Sequence, residues 1–242
     1  MRLRNMAFFF PFVLLWFTEI KLNIIVTKNM SKFGPKIDLD NNDRGRKIWF
    51  MSDLHYNHIN ILQLNNRKFR GVEEMNQYIL GELASKIDSN DILFDLGDLI
   101  WKESPSEIKL FSEILPPISY RVLGNHDGKN LEAWGKVWRG VYDLLDLIVK
   151  KDGEDIRITL SHFPILDWNH RYRGSWNIHG HCHGGIDSLN KESGELRLDI
   201  GFDSEISQEV GSFLIPFDRV LSEMKRRTGG KDFRGWAKNR YN

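Results

Sequence analysis

The chain has 242 residues, of which 41% are hydrophobic and 28% are charged, and it contains 20 glycines, 7 prolines and 1 cysteine. The apolar fraction is too high for a disordered chain and the glycine content is too low for a collagen. A single cysteine excludes an internal disulfide framework and any zinc module that needs several cysteines. The length suits one large domain, or one domain with appendages, that buries about 70% of its surface.

The formal net charge is only +1, but the charge is distributed unevenly along the chain. Residues 225–242 carry +6 and residues 1–29 carry +3, which leaves −8 for the residues between them. We therefore predict three parts: an N-terminal extension at residues 1–29, an acidic domain at residues 30–224, and a basic C-terminal tail at residues 225–242.

The N-terminal extension contains an apolar run at residues 7–17, which follows Arg2 and Arg4. This run is too short to cross a bilayer, which needs about 20 residues, and no small-residue cleavage site follows it. A segment foreign to the domain, a signal sequence or interfacial anchor, and an element docked on the domain remain as interpretations, in that order. Because the composition indicates no disulfides, we predict a cytoplasmic protein, with export or membrane association through residues 7–17 as the alternative.

The domain begins with short apolar strands that alternate with helices and becomes rich in strands after residue 140. This pattern predicts a single α/β domain. Strands are predicted at residues 47–51, 92–96, 120–123, 141–149, 155–160, 176–180, 196–200 and 212–215, and helices at residues 72–87, 106–115, 131–138 and 217–227.

Polar residues typical of metal sites follow five of the predicted strands. In an open α/β sheet, ligands bind outside the carboxyl ends of the strands, so the five strand ends are expected to meet at one crevice. All eight histidines lie between residues 55 and 183, and most of them belong to these five clusters. The clusters are residues 52–55, 97–98, 124–127, 161–162 and 178–184.

The spacing inside the clusters predicts which side chains act together. Asp53 and His55 are two residues apart, as are His181 and His183, so each pair would face one side of an extended segment. Carboxylate, imidazole and amide groups without a thiolate favour Mn, Fe or Zn over a soft metal. The candidate ligands are too many for one tetrahedral ion, so the sequence predicts two divalent transition-metal ions that share Asp98.

The clusters follow one another as Asp-x-His, Gly-Asp, Gly-Asn-His-Asp, His and Gly-His-x-His, within residues 47–203. This order resembles the calcineurin-like metallophosphoesterase superfamily. The resemblance implies two packed β-sheets flanked by helices on both sides, as a four-layer sandwich formed by residues 30–224. It also implies that one ion is held by Asp53, His55, Asp98 and His183, and the other by Asp98, Asn125, His162 and His181.

Such a site would hydrolyse a phosphate ester, either a monoester or a diester, through a hydroxide that bridges the two ions. His126 is the candidate for stabilising the transition state or protonating the leaving group. His58 and Arg173 are candidate substrate contacts. A catalytically silent binding scaffold of the same fold is the alternative from another class, and the complete ligand set with an intact His126 argues against it.

Four other residues have predicted roles that the structure can test. The protein Ser/Thr phosphatase branch has an Asp three residues after the bridging Asp, whereas this chain has Trp101, so a phosphoprotein phosphatase is not expected. Asp127 is predicted to cap the helix that follows it. Asp199 and Asp203 are predicted to bind backbone N–H groups rather than a metal ion.

The basic C-terminal tail interleaves its cations with Phe233, Trp236 and Tyr241. Cations combined with aromatic rings are typical of contacts to single-stranded nucleic acid. A nuclease acting on single-stranded or short nucleic acid is therefore the alternative within the same class. A solvated tail, or a tail docked on the surface, is the competing interpretation.

Overall fold

The computed structural model describes residues 35–40, 45–127, 131–134 and 136–241. The predictions for the N-terminal extension, including the apolar run at residues 7–17, concern residues outside these ranges. Among the described residues, no helix is both long enough and apolar enough to cross a membrane.

The described residues form strands and helices in an α/β arrangement. The strands are β1 (Lys36–Asp38), β2 (Ile48–Met51), β3 (Ile92–Asp95), β4 (Ile118–Val122), β5 (Gly140–Tyr142), β6 (Leu144–Lys151), β7 (Glu154–Ser161), β8 (Trp176–His179), β9 (Arg197–Asp199) and β10 (Ile215–Pro216). The helices are α1 (Ile61–Leu64), α2 (Val72–Lys86), α3 (Pro105–Ile114), α4 (Leu131–Trp134), α5 (Asp187–Glu192), α6 (Glu205–Val210), α7 (Phe217–Arg227) and α8 (Phe233–Tyr241), with a 3-10 helix at Arg171–Arg173.

The strands form two mixed sheets of five strands each. The first sheet has the order β10-β2-β3-β4-β5, in which β2 to β5 are parallel and β10 is antiparallel to β2. The second sheet has the order β1-β6-β7-β8-β9, in which β7, β8 and β9 are parallel and β6 is antiparallel to β7. Helices surround both sheets, which confirms the predicted α/β class with two packed β-sheets.

The larger hydrophobic core lies between the two sheets. Phe50, Phe94 and Tyr120 occupy matching positions of β2, β3 and β4, and their rings stack with centroids 5.6 and 5.3 Å apart. Residues such as Leu160 and Ile178 of the second sheet belong to the same core. Burying each large apolar side chain contributes about 1.5–3 kcal/mol, so this core holds the strand ends in fixed relative positions.

A second core lies on the other face of the first sheet. Because side chains alternate along a strand, Met51 and Leu93 point away from the first core and pack against α2 and α3. Helix α3 begins with a capping box, in which Ser104 and Glu107 each accept a backbone N–H from the other, and Pro105 occupies its first turn. The parallel strands β2 and β3 are therefore covered on both faces.

The strand predicted at residues 141–149 is in fact two strands that belong to different sheets. Strand β5 pairs with β4 in the first sheet, and β6 pairs with β7 in the second. The chain passes from one sheet to the other at Asp143, between these strands. The apolar pattern is continuous across this point, and periodicity carries no information about which strand is the hydrogen-bond partner.

The C-terminal segment is a docked helical element. The predicted boundary between residues 224 and 225 falls inside α7, and α8 follows with Phe233 and Ala237 buried. The ring of Phe233 lies edge-on to Trp176 of the core, with 5.0 Å between centroids. The helix docks because some of its apolar side chains are buried. The basic composition of the segment did not indicate this burial.

Part of the positive charge of this segment is already paired. Arg226 and Arg227 both bind the carboxylate of Glu223, at 2.8 and 2.9 Å. Glu195 pairs with Arg240 at 3.3 Å and accepts the hydroxyl of Tyr241 at 2.5 Å. Nucleic-acid binding through residues 225–242 stays a prediction, with fewer free cations than the sequence suggested.

Candidate metal centre

The polar clusters that follow five strands converge at one edge shared by the two sheets. Strands β2, β3 and β4 are parallel neighbours in the first sheet, and β7 and β8 are parallel neighbours in the second. Their carboxyl ends therefore bring together Asp53 and His55 after β2, Asp98 after β3, Asn125 and His126 after β4, His162 after β7, and His181 and His183 after β8.

The carboxylate of Asp98 lies at the centre of this cluster. Its Oδ2 atom is 3.7 Å from His55 Nε2, 3.5 Å from His162 Nε2 and 3.8 Å from His126 Nε2. The side chain is 2% exposed, and burial raises its pKa above the usual value. A buried carboxylate surrounded by ring nitrogens from three other loops has the placement that a shared metal ligand requires.

Asp53, His55 and His183 form one group of donors. Their ligand atoms lie within 4.8 Å of one another, and the two imidazole rings stack with centroids 5.1 Å apart. Asp53 Oδ1 and His55 Nε2 are buried, and among the described residues neither has a hydrogen-bond partner. Buried polar atoms are nearly always satisfied, so these two unpartnered atoms, a carboxylate oxygen and an imidazole nitrogen, fit a divalent cation as their common partner.

Asn125, His162 and His181 form the second group. His162 Nε2 is 3.1 Å from Asn125 Oδ1, and the rings of His162 and His181 are edge-to-face at 5.1 Å. His162 Nδ1 lies 2.7 Å from the carbonyl oxygen of Leu96, which can only accept. This contact places the proton on Nδ1 and leaves Nε2 free to bind a metal ion.

Five of the predicted ligands have a left-handed backbone conformation, whereas the two-residue spacing predicted extended segments. Such a conformation costs about 1–3 kcal/mol in a non-glycine residue and is found mainly where surrounding contacts hold it in place. Hydrogen bonds across the loops do so here: Asp53 N–H donates to Gly97 O, and His55 N–H to Asp98 O, both at 2.9 Å. The left-handed residues, with φ between 48° and 67°, include Asp53, His55, Asp98, His181 and His183.

Two glycines allow the ligand loops to approach one another. A Cβ atom at Gly124 would lie 2.1 Å from Asp98 Oδ1, and one at Gly180 would lie 2.0 Å from Ser52 Oγ. Both distances are far below a van der Waals contact. Any side chain at these positions would therefore push the loops after β2, β3, β4 and β8 apart.

Burial favours the neutral, metal-binding form of two of the predicted ligands, His55 and His181. Burial, together with the neighbouring His183, lowers the pKa of His55 from 6.5 to about 2. Burial also lowers the pKa of His181. Both rings therefore present a lone pair at neutral pH without first losing a proton.

His126 reaches the crevice from the same loop as Asn125. Its side chain is 36% exposed, the largest exposure among the imidazoles that face Asp98, and its backbone N–H donates to Asp98 Oδ1 at 2.9 Å. The Trp101 indole packs edge-on against its ring. His126 is thus the imidazole of this cluster most open to a bound ligand.

The two predicted substrate contacts are placed differently. His58 lies in the centre, buried, with its ring stacked on Trp101 and its Nδ1 atom 3.3 Å from His55 Nδ1. Arg173 lines a separate cavity with Asp155 and Phe233, at the start of β7. His162 follows the other end of β7, about 23 Å further along the strand, so Arg173 lies away from the predicted ligands, and its contact with substrate stays a prediction.

Two supporting residues, Arg67 and Asp203, were missed as parts of the site. Asp203 was expected to bind backbone N–H groups, but its carboxylate accepts from His183 Nδ1 at 2.7 Å and pairs with Arg67 at 2.8 Å. Arg67 lies 136 residues away in the chain. No local sequence pattern connects two residues so far apart. The position of Asp203 after a strand, like that of the predicted ligands, was the only signal that it belongs to the site.

Asp127 also has a role that differs from the predicted helix cap. Its Oδ2 atom accepts the backbone N–H of Asp98 at 2.9 Å and that of Gly124 at 2.8 Å. Its other oxygen binds the buried guanidinium of Arg121. Asp127 therefore fastens the loop after β3 to the loop after β4.

A further group of metal-type side chains, His179, Cys182 and Asp199, is already satisfied by the protein. His179 Nδ1 binds Gly180 O at 2.8 Å and its Nε2 lies 3.2 Å from Asn190 Nδ2. As predicted, Asp199 accepts backbone N–H groups, from Gly184 and Gly201. Burial raises the pKa of Cys182 to about 11, so its thiol is protonated and unreactive at neutral pH.

Two mixed sheets with histidines and carboxylates gathered at shared strand ends define a metallophosphoesterase-like protein. The family model of calcineurin-like phosphoesterases matches residues 46–192, and the chain belongs to this family. Members of the family are generally hydrolases that act on phosphate esters with the help of divalent metal ions.

Similar proteins come from an archaeon, a phage and a bacterium. The chain is 33% identical over 141 residues to an uncharacterized protein of Methanocaldococcus jannaschii, spanning 57% of this chain and 70% of that protein. It is 26% identical over 180 residues to the gene 66 protein of Mycobacterium phage L5, spanning 64% and 86%. A solved structure of a protein of unknown function from Aquifex aeolicus has a TM-score of 0.55 and 25% identity, covering 74% of this chain and all of the other.

Proposed function

We propose that this protein is a hydrolase that uses two divalent transition-metal ions to cleave a phosphate monoester or diester. The observation that carries the proposal is the convergence of carboxylate and imidazole donors on Asp98, together with the orphaned buried atoms Asp53 Oδ1 and His55 Nε2. Carboxylate and imidazole are the groups that such ions prefer, and the ligand atoms of Asp53, His55 and His183 lie within 4.8 Å of one another.

The donor set fits two ions of the Mn, Fe or Zn type. Asp53, His55, Asp98 and His183 would hold the first, and Asp98, Asn125, His162 and His181 the second. When bound, such ions would polarise a phosphoryl oxygen through their positive charge and would lower the pKa of a bound water molecule.

The charge balance of the ligands favours an anionic substrate. Two divalent ions bring four positive charges, and the predicted ligand set contains two carboxylates, Asp53 and Asp98, so a net positive charge faces the crevice. Asn125 contributes a neutral oxygen where a third carboxylate would cancel more of that charge. A phosphate ester is therefore attracted even though the body of the protein is acidic.

His126 is the residue that acts on the substrate directly. Its backbone is fixed by Asp98, and its partly exposed imidazole faces the crevice. From there it donates a hydrogen bond to the charge that develops on the phosphoryl oxygens, or a proton to the leaving oxygen. General acid help of this kind contributes about 10²–10⁴ in rate.

The test compares chromogenic substrates of the two ester types. We expect hydrolysis of p-nitrophenyl phosphate, bis-p-nitrophenyl phosphate or both, in the presence of Mn²⁺, and loss of the rate after chelation with recovery when Mn²⁺ is returned. A preparation of the Asp98→Asn variant, purified in the same way, controls for contaminating phosphatases. Absence of metal-dependent hydrolysis of both esters would contradict the proposal and favour a silent scaffold of the same fold.

A further inference from the structure

One buried guanidinium is joined to a predicted metal ligand through a carboxylate. The Arg67 side chain is 1% exposed and binds Asp203 in a two-pronged manner, with Nε 2.8 Å from Oδ1 and Nη2 2.8 Å from Oδ2. The same Oδ2 atom lies 2.7 Å from His183 Nδ1. A carboxylate oxygen can only accept, so His183 carries its proton on Nδ1 and turns Nε2 toward Asp53 Oδ1, which is 3.8 Å away.

The remaining donors of Arg67 hold the loop that carries two more ligands. Nη1 donates to the carbonyl oxygen of Leu54 at 2.8 Å, and Nη2 to that of Asp53 at 2.7 Å. Asp53 and His55, on either side of Leu54, both have left-handed backbone conformations. A single side chain thus holds the strained loop after β2 and the carboxylate that orients His183.

The position of Arg67 is fixed by its own surroundings. Its guanidinium lies over the ring of Phe202, 3.9 Å from the centroid. Asn65 Nδ2 also donates to Asp203 Oδ2 at 2.9 Å, so the carboxylate is held from two directions. Arg is suited to this place because its planar fork makes four hydrogen bonds, to two carbonyls and to both oxygens of a carboxylate, whereas a lysine ammonium has only three N–H donors.

We propose that Arg67 is a positioning residue for the first metal ion, acting through Asp203 on His183 and directly on the Asp53 loop; the inference rests on the proposed function. Carboxylates that accept from a metal-bound histidine fix its tautomer and orientation, and losing them typically costs 10–100-fold in metal affinity. Arg67 acts one step further out and also supports a second ligand, so an effect of the same size is expected.

The second ion provides an internal reference, because His162 and Asn125, which are assigned to it alone, are supported by other residues. His162 is oriented by the carbonyl oxygen of Leu96, and Asn125 lies on the loop that Asp127 fastens through Gly124. Removing Arg67 should therefore lower the affinity for the first ion more than the affinity for the second. A residue that only stabilised the fold would affect both ions alike or neither.

The experiment is a calorimetric titration of the metal-free full-length protein with Mn²⁺, for the wild type and for Arg67→Met, Arg67→Lys and Asp203→Asn. We expect two sites in the wild type, one of them 10–100-fold weaker in Arg67→Met and Asp203→Asn, and the other within about twofold of the wild type. Arg67→Lys keeps the charge without the fork and should recover only part of the lost affinity.

The matched control is Arg171→Met, which breaks another two-pronged arginine–carboxylate pair, with Glu195 at 3.0 and 2.7 Å, away from the metal centre. It should leave both affinities unchanged. If Arg67→Met does not fold, Asp203→Asn, which preserves side-chain volume, decides the question. Two unchanged sites in the folded variants would overturn this inference alone, whereas a wild type that binds no divalent ion would overturn the proposed function and this inference with it.

Discussion

The indole of Trp101 lies edge-on to the imidazole of His126, with 4.7 Å between ring centroids and 62° between planes. The same indole stacks on His58 at 3.9 Å and 5°. In the protein Ser/Thr phosphatase branch this position of the sequence is an Asp that supports the catalytic His. Here the His126 ring packs against an aromatic side chain where that branch has a carboxylate.

Removing the indole should therefore impair turnover without removing metal. In Trp101→Ala, the His126 ring gains freedom to rotate, and misplacement of a catalytic group by about 1 Å can cost 10²-fold in rate. We expect kcat to fall by about 10–100-fold with two ions retained, measured by steady-state kinetics and metal analysis of the same sample. Trp236→Ala, which removes an indole from α8, is the control, and an unchanged kcat in Trp101→Ala would refute the packing role.

Removing the imidazole itself should have a larger effect. His126→Ala leaves the predicted metal ligands in place but removes the group that faces the crevice, so we expect two bound ions and a 10²–10⁴-fold lower kcat. His170→Ala, a histidine of the cavity that Arg173 lines, should retain wild-type turnover. Near-full activity in His126→Ala would show that another group interacts with the leaving oxygen.

The shared ligand should control metal content. Asp98→Asn removes the charge that faces His55, His162 and His126, so the purified variant should hold fewer than two ions by elemental analysis. Asp155→Asn is a suitable control, because this carboxylate lies at the start of β7, at the opposite end of the strand from His162. Two ions retained in Asp98→Asn would exclude a bridging role.

The docked C-terminal helix should contribute measurably to stability. Phe233 packs against Trp176 in the core, and replacing a buried Phe by Ala typically costs about 3–5 kcal/mol. We expect a loss of this size in the free energy of unfolding of Phe233→Ala, measured with urea. The neighbouring exposed residue gives the control: Arg234→Ala should lie within about 0.5 kcal/mol of the wild type. Equal stability of Phe233→Ala and wild type would indicate a solvated tail.

The buried His179 should make stability depend on pH. Burial lowers its pKa from 6.5 to about 4, so between these values the unfolded chain binds a proton that the folded protein does not. Stability from this group is therefore complete above pH 6.5 and declines as the pH falls, by about 1.4 kcal/mol at pH 5.5. His179→Asn removes the titrating group.

The measurement is urea unfolding of the metal-free wild type and His179→Asn at pH 7.5 and pH 5.5. The free energy of unfolding of the wild type, relative to the variant, should be about 1.4 kcal/mol lower at the acidic pH. Taking the difference between the two proteins cancels the titration of the buried carboxylates, which changes stability in the opposite direction. The same difference at both pH values would contradict a depressed pKa.

The sequence was sufficient to predict the α/β class and the principal strands and helices. Residues 92–96 and 72–87 were predicted as strand and helix, and the structure has β3 and α2 within a residue or two of these bounds. Both have strong apolar periodicity and clear ends. Elements of two to six residues, such as β1, α1 and α6, were missed because so short a stretch has too few apolar repeats to be recognised.

The sequence by itself determined which donors follow which strands, because residue type and strand order are written along the chain and parallel strands end at a common edge. Only the tertiary structure decided that Arg67 meets Asp203 and His183, that residues 140–142 and 144–151 join different sheets, and that α8 docks beside Trp176. The apolar periodicity of a segment predicts whether it is a helix or a strand and which of its faces is buried. Partners more than a hundred residues apart are chosen when the two sheets pack, and that choice depends on surfaces which exist only in the folded chain.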